Sequence, residues 1–256
     1  MPTDLALPTT LLGGFLSVMA RVSAAVVFVP VPFLRGTWSL VRLLLSLATT
    51  MALFPLWPEV ALETYSVSGI VAMLFSEAVL GIAIGLPVAF LTEVILFAMQ
   101  IMGLQAGYSF ASMVDPATQA DSNILVIWGQ VLSALLFFAF GFHRDILLAF
   151  GQSLQIYPPG SFLLTEALSS RFISMAGMAI HTGVRLALPS IALLLVIDIA
   201  IALMGRVNAQ LQLITLAFSI KMLAVLLCLT WTLAMFPRIF RQFGHYSIEN
   251  LWAFLR

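Results

Sequence analysis

Residues 67–102 read VSGIVAMLFSEAVLGIAIGLPVAFLTEVILFAMQIM, and Glu77 and Glu93 are the only charged side chains among them. A membrane-spanning helix needs about 20 apolar residues, because the hydrocarbon core is about 30 Å thick and a helix rises ~1.5 Å per residue. As one helix this run would extend on the order of 50 Å. It therefore places the chain among helical membrane proteins, and further apolar runs at 11–34, 40–56, 124–142, 172–204 and 211–236 make it polytopic. Residues 146–156 are too short to cross alone and read as a partial or interfacial segment.

Composition agrees with that reading. Of 256 residues, 62% are hydrophobic and 9% charged, with mean hydropathy +1.10; soluble domains carry roughly a quarter charged residues. Eleven basic and eleven acidic residues cancel, Lys221 is the sole lysine, and no run of like charge is present, which argues against a nucleic-acid partner. Cys228 lies in an apolar run and reads as a small buried hydrophobe. His143, His181 and His245 are too scattered for a typical metal site, so neither metal nor cofactor is expected. No phosphate-binding glycine loop, HExxH or recognisable nucleophile and base is found, and no enzymatic activity is expected.

The charge pattern conflicts with a simple topology. Arg35 and Arg42 bracket the first connection and Glu59 and Glu63 mark the second, which puts the first connection in the cytoplasm and the N-terminus opposite. Six crossings would leave Arg206 inside, yet Arg238, Arg241 and Arg256 after the last run ask for the same side. Either one run does not cross, or partners override the charge rule during insertion. A cleaved signal peptide is not expected, since a basic leading segment is lacking and the first run carries Arg21. Pro87 and Pro189 fall inside the two longest runs and predict helices that kink or break there.

Charges within apolar runs cost about 2.5–3.5 kcal/mol each and need a protein partner or a wet cavity. Arg21, Glu77, Glu93 and Arg185 are of this kind: each reads as a member of a structural ion pair or a head group reaching the interface, with a partner on a neighbouring subunit as the other expectation. Asp198 and Lys221 lie about ten residues before and thirteen after Asn208. In an antiparallel hairpin that offset is only about 4.5 Å of rise, so an intramembrane ion pair fixing the register is expected. Gly81 and Gly85 share a helix face with Glu77, and Gly103 and Gly107 repeat the spacing, which suits close helix packing.

Residues 103–122, GLQAGYSFASMVDPATQADS, join two apolar runs but mix Tyr108, Phe110 and Met113 with Asp115 and the helix-breaking Pro116. Two readings stand: an ordinary exposed loop, or a re-entrant segment whose flexible methionine and aromatic side chains seal a pore.

Along nearly its whole length the chain resembles the FliR family of flagellar export-gate subunits, related to the T subunit of virulence injectisomes. The resemblance rests on MARVSAAVVFVPVP (19–32), VRLLLSLATTMALFP (41–55), SEAVLGIAIG (76–85) and QIMGLQAGYSFASMVDP (100–116). It continues through GFHRDILLAFGQSLQIYPPG (141–160) and ALPSIALLLVIDIAIALMGRV (187–207), and departs where Ala209 and Ser219 replace prolines usual in the family. It implies an all-α fold of long kinked hairpins, with residues 1–170 similar to a FliP protomer and residues 171–256 a FliQ-like hairpin with a C-terminal tail. Residues 107–122 would then be the channel plug, with Tyr108, Phe110, Met113, Asp115 and Pro116 as its gate residues. The implied role is a core subunit of the export gate at the flagellar basal body in the bacterial inner membrane. FliP-like, FliQ-like, FlhB-like and FlhA-like proteins would be its partners and unfolded proteins its cargo. A homo-oligomeric small-solute transporter or ion channel is the alternative from another class.

Overall fold

The computed structural model describes residues 9–29, 38–108, 124–207 and 213–255. The helices are α1 (Thr9–Val26), α2 (Trp38–Ala52), α3 (Val67–Ala106), α4 (Ile124–Ala139), α5 (Phe142–Ile156), α6 (Glu166–Val207), α7 (Leu213–Thr232) and α8 (Phe236–Phe254). Single 3-10 turns occur at Phe54–Leu56 and Leu62–Thr64, and no strand occurs among the described residues. α1, α3 and α6 are long and apolar enough to cross a bilayer; counting the bent pairs α4 with α5 and α7 with α8 as one span each raises the number to five. The protein is an all-α polytopic membrane protein.

Both prolines are absorbed without a break. α3 runs for 40 residues through Pro87 and α6 for 42 through Pro189, each on the order of 60 Å long. The segment 146–156, expected to be too short to cross alone, lies in the 15-residue helix Phe142–Ile156, which counts toward a span only together with α4. The expected C-terminal tail is instead the 19-residue helix α8. Its reason is amphipathic spacing: Phe236, Phe240, Phe243, Ser247 and Leu251 are buried, while Arg238, Arg241, His245 and Glu249 are exposed.

The chain forms two compact units. The first takes the described residues of Met1–Phe90, Gly141–Met175 and His245–Arg256; the second takes those of Leu91–Phe140 and Ala176–Gly244. In the first unit α1 packs on α2 and on the N-terminal half of α3, with Val18, Val22, Leu80, Ile84 and Phe150 fully enclosed. In the second, Val94, Ile95 and Met99 of α3 join Phe137 of α4, Leu194 of α6 and Val225 of α7 in the core. There Gly129 packs on Met99, and Gly183 brings α6 within 3.0 Å of the Val94 carbonyl oxygen, both measured from an ideal Cβ.

Close approach explains Gly81 and Gly85. A Cβ at Gly81 would collide with the carbonyl oxygen of Arg21, and one at Gly85 would lie 2.6 Å from the Phe28 ring and 3.0 Å from the Ala25 carbonyl oxygen. Backbone cannot yield as a flexible side chain can, so Gly81→Ala should cost about 1–3 kcal/mol by overpacking. Gly177, on α6, has open space around its Cβ position. Gly177→Ala should instead be neutral or raise stability by up to about 1 kcal/mol through helix propensity. Thermal unfolding of the two variants in detergent checks this, and equal shifts would contradict the packing assignment.

Candidate functional site

α1 and α3 face each other across a fully buried charge pair. Arg21 is 1% exposed and Glu77 is 0% exposed. Arg21 Nε donates to Glu77 Oε2 at 2.7 Å, and Nη2 lies 2.7 Å from the same oxygen. Each of the other guanidinium nitrogens has a further partner: Nη1 donates to Ser153 Oγ on α5 at 3.0 Å and Nη2 to the Tyr157 carbonyl oxygen at 3.0 Å. Glu77 Oε1 accepts the Gly160 backbone N–H at 3.1 Å. Two ions taken out of water cost several kcal/mol each, and only close pairing with such added hydrogen bonds offsets that. The expectation that Arg21 and Glu77 face neighbouring subunits is corrected by this geometry. They face each other, because their helices are drawn together at Gly81, one turn from Glu77.

The stretch Tyr157–Pro158–Pro159–Gly160 closes over this pair. Ser161 N–H donates to the Pro158 carbonyl oxygen at 3.1 Å, with Pro159 and Gly160 as the central residues and Gly160 at φ +79°. Proline at the second position and a positive φ at the third define a type II turn, which requires glycine there. The turn aims the Gly160 N–H at Glu77. Beside it, the Tyr157 ring stacks on Phe254 of α8 at 5.7 Å, and Phe162 meets both rings edge-on at 5.5 and 5.7 Å. Tyr157 Oη donates to the Phe254 carbonyl oxygen, and Ser76 Oγ to that of Phe162. Ser153, Ser76, Phe162 and Phe254 were not marked by any sequence pattern; the double proline and glycine were the one available signal.

In the second unit, Lys221 Nζ of α7 contacts Asp198 Oδ1 of α6. Unlike the first pair, this one is open: the Asp198 side chain is 45% exposed and that of Lys221 17%. Glu93 and Arg185 occupy exposed positions on α3 and α6.

α3 ends in a glycine cap. Gly107, at φ +87°, donates its N–H to the Leu104 carbonyl oxygen, and the next N–H, of Tyr108, bonds Gly103 O at 3.0 Å. These are the two bonds of a Schellman motif, so Gly107 stops the helix at the edge of the 103–122 stretch. A Cβ there would also strike the Phe218 ring of α7 at 2.5 Å, so the residue serves packing too. Gly103 is buried in the last turn of α3, and Tyr108 is half-buried, with burial pushing its phenol above the ordinary value. Phe110, Met113, Asp115 and Pro116 lie outside the described residues.

Long apolar helices, a sealed internal ion pair and a second pair left at the surface define a polytopic helical membrane protein. Residues 12–245 match the family described as bacterial export proteins, family 1, and the chain belongs to that family. It is 27% identical over 226 residues to the flagellar biosynthetic protein FliR of Pectobacterium carotovorum subsp. carotovorum, covering 87% of this chain and 84% of the relative. To FliR of Escherichia coli K12 it is 28% identical over 204 residues, 80% and 78% of the two chains. The secretion system apparatus protein SsaT of Salmonella typhimurium is 24% identical over 189 residues, 73% and 70%.

Removing one member of the buried pair leaves the other as an unpaired charge. Arg21→Ala or Glu77→Ala should each destabilise by about 3–5 kcal/mol, and Ser153→Ala by about 1 kcal/mol. Arg21→Lys should recover little, since an ammonium cannot reproduce the planar fork that reaches Glu77, Ser153 and Tyr157 together. The ranking is read from unfolding midpoints of the protein purified in detergent with whatever subunits accompany it, and a mild Arg21→Ala would refute it.

Proposed function

We propose that this chain is a non-enzymatic structural subunit of the core of the flagellar type III protein-export gate, part of the channel that passes unfolded flagellar proteins across the inner membrane. The observation that carries the proposal is the family match from 12 to 245, together with flagellar relatives aligned over 87% and 80% of the chain. In this reading residues 1–170 are the FliP-like part, residues 171–256 the FliQ-like part, and residues 107–122 the plug whose Tyr108, Phe110, Met113, Asp115 and Pro116 hold the channel shut. FliP-like and FliQ-like subunits complete the gate, and FlhB-like and FlhA-like proteins act with it at the basal body. The similarity to SsaT makes an injectisome gate the second reading.

The distribution of apolar surface supports a shared assembly. In the most apolar part of α3, 61% of residues are buried within the chain, whereas in α6 only 22% are. Leu188, Leu195, Val196, Ile199 and Leu203 of α6 are all more than half exposed. Such a surface is covered by lipid or by other subunits.

Co-expressed with FliP-like and FliQ-like subunits, the chain should be recovered in one complex, and expressed alone it should aggregate or be degraded. Deleting residues 109–117 should leave that complex recoverable while raising inner-membrane permeability to small ions. A monodisperse homo-oligomer purified without other subunits would overturn the proposal in favour of a lone transporter or channel, and an assembled deletion variant with unchanged permeability would overturn the plug assignment.

A further inference from the structure

Asp198 is the only charge between Arg185 and Arg206 on α6, in the stretch LALPSIALLLVIDIAIALMG (186–205). It lies eight residues from Arg206 and thirteen from Arg185, so either end of the apolar stretch is about 12 Å or more away along the helix. Lysine and arginine can extend a charged head along an apolar stem to water, but the single methylene of aspartate cannot. Its charge must be met where it stands.

Lys221 meets half of it. The ammonium contacts Oδ1, whereas no hydrogen bond reaches Oδ2 among the described residues, and the side chain remains 45% exposed. A carboxylate has about four acceptor sites, so this one retains capacity on its open side. Flanking it are the exposed apolar residues Leu195 and Ile199 on α6 and Ile220 and Leu223 on α7. Facing hydrocarbon, an acceptor oxygen without a donor is costly; facing a helix that carries a donor, the same oxygen becomes a point of recognition.

We infer that the open oxygen of Asp198 is the contact point for a helix of a different chain, an apolar membrane helix presenting a hydroxyl, amide or cationic donor. The Asp198–Lys221 pair then has two tasks. It sets the register of the α6–α7 hairpin, and it offers an oriented acceptor to the neighbour. The inference rests on the reading of the chain as one subunit of a hetero-oligomer, and names the chemistry of one of its contacts.

The test uses the full chain in cells that produce its partner subunits. In the exchange variant Asp198→Lys/Lys221→Asp the pair survives but the carboxylate moves to the other helix, and in Asp198→Leu/Lys221→Leu both charges are gone. Each variant should accumulate in the membrane within about twofold of wild type while recovery of partner subunits with it falls about tenfold, the scale of a hydrogen bond to a charged group. An exchange variant that recovers partners as well as wild type overturns the inference and leaves the pair a purely internal tie. Should either variant fail to accumulate, Ile199→Cys in a chain carrying Cys228→Ala gives an independent reading. In the assembled complex that thiol should resist a membrane-impermeant maleimide and cross-link to a partner subunit; labelling there would mean that water, not a helix, covers Asp198. If the wild-type chain itself recovers no other subunit, it is the hetero-oligomer reading that fails.

Discussion

The first unit is organised around one requirement, that Arg21 and Glu77 be fully coordinated where water cannot reach them. Neither ion can be buried alone, and together they are tolerable only if further hydrogen bonds satisfy their other polar atoms. Satisfying Arg21 draws in Ser153 from α5 and the Tyr157 carbonyl; satisfying Glu77 draws in the Gly160 N–H. The small residue at Gly81 lets α1 come close enough for the pair to form. Pro159 and Gly160 shape the turn that supplies the last donor, and the aromatic group of Tyr157, Phe162 and Phe254 fixes that turn to α8. Segments distant in the chain thus depend on a single electrostatic condition.

The two ion pairs divide the labour of specificity. The buried one is enclosed within the chain, where each of its polar atoms has a partner. The Asp198–Lys221 pair sits on a hairpin whose longer helix keeps most of its apolar surface uncovered. Buried polar pairs fix register more dependably than they add stability, and a half-open pair extends that property to a neighbour. This contrast supports the proposed role of a subunit, with polar groups enclosed in its interior and apolar surface left open on α6.

Much of the class was legible in the sequence, because apolar run length is a one-dimensional property. Helices α3, α6 and α7 follow directly from residues 67–102, 172–204 and 211–236. The offset of Asp198 and Lys221 about a short turn is also one-dimensional, since a hairpin folds the chain back on itself by counting. The partnership of Arg21 with Glu77 is not. It joins positions 56 residues apart on helices that are not joined by a hairpin turn, and only the packing at Gly81 reveals it. Helix α8 was missed because its nineteen residues are amphipathic rather than apolar, and a search for spanning runs passes over such a segment. Of the two outcomes expected at Pro87 and Pro189, a break does not occur: removal of one backbone donor does not interrupt either membrane helix.

Because the turn at Tyr157–Gly160 is held by Glu77, the most direct test of this organisation is hydrogen exchange at the Gly160 amide. In the wild-type protein, purified in detergent with whatever subunits accompany it, that amide should exchange slowly, protected by the Glu77 carboxylate. In Glu77→Gln, which keeps the shape but loses the charge, Gly160 and Ser161 should exchange at least tenfold faster while the interior of α7 stays protected. Unchanged protection at Gly160 in that variant would contradict the claim that the buried pair organises the unit.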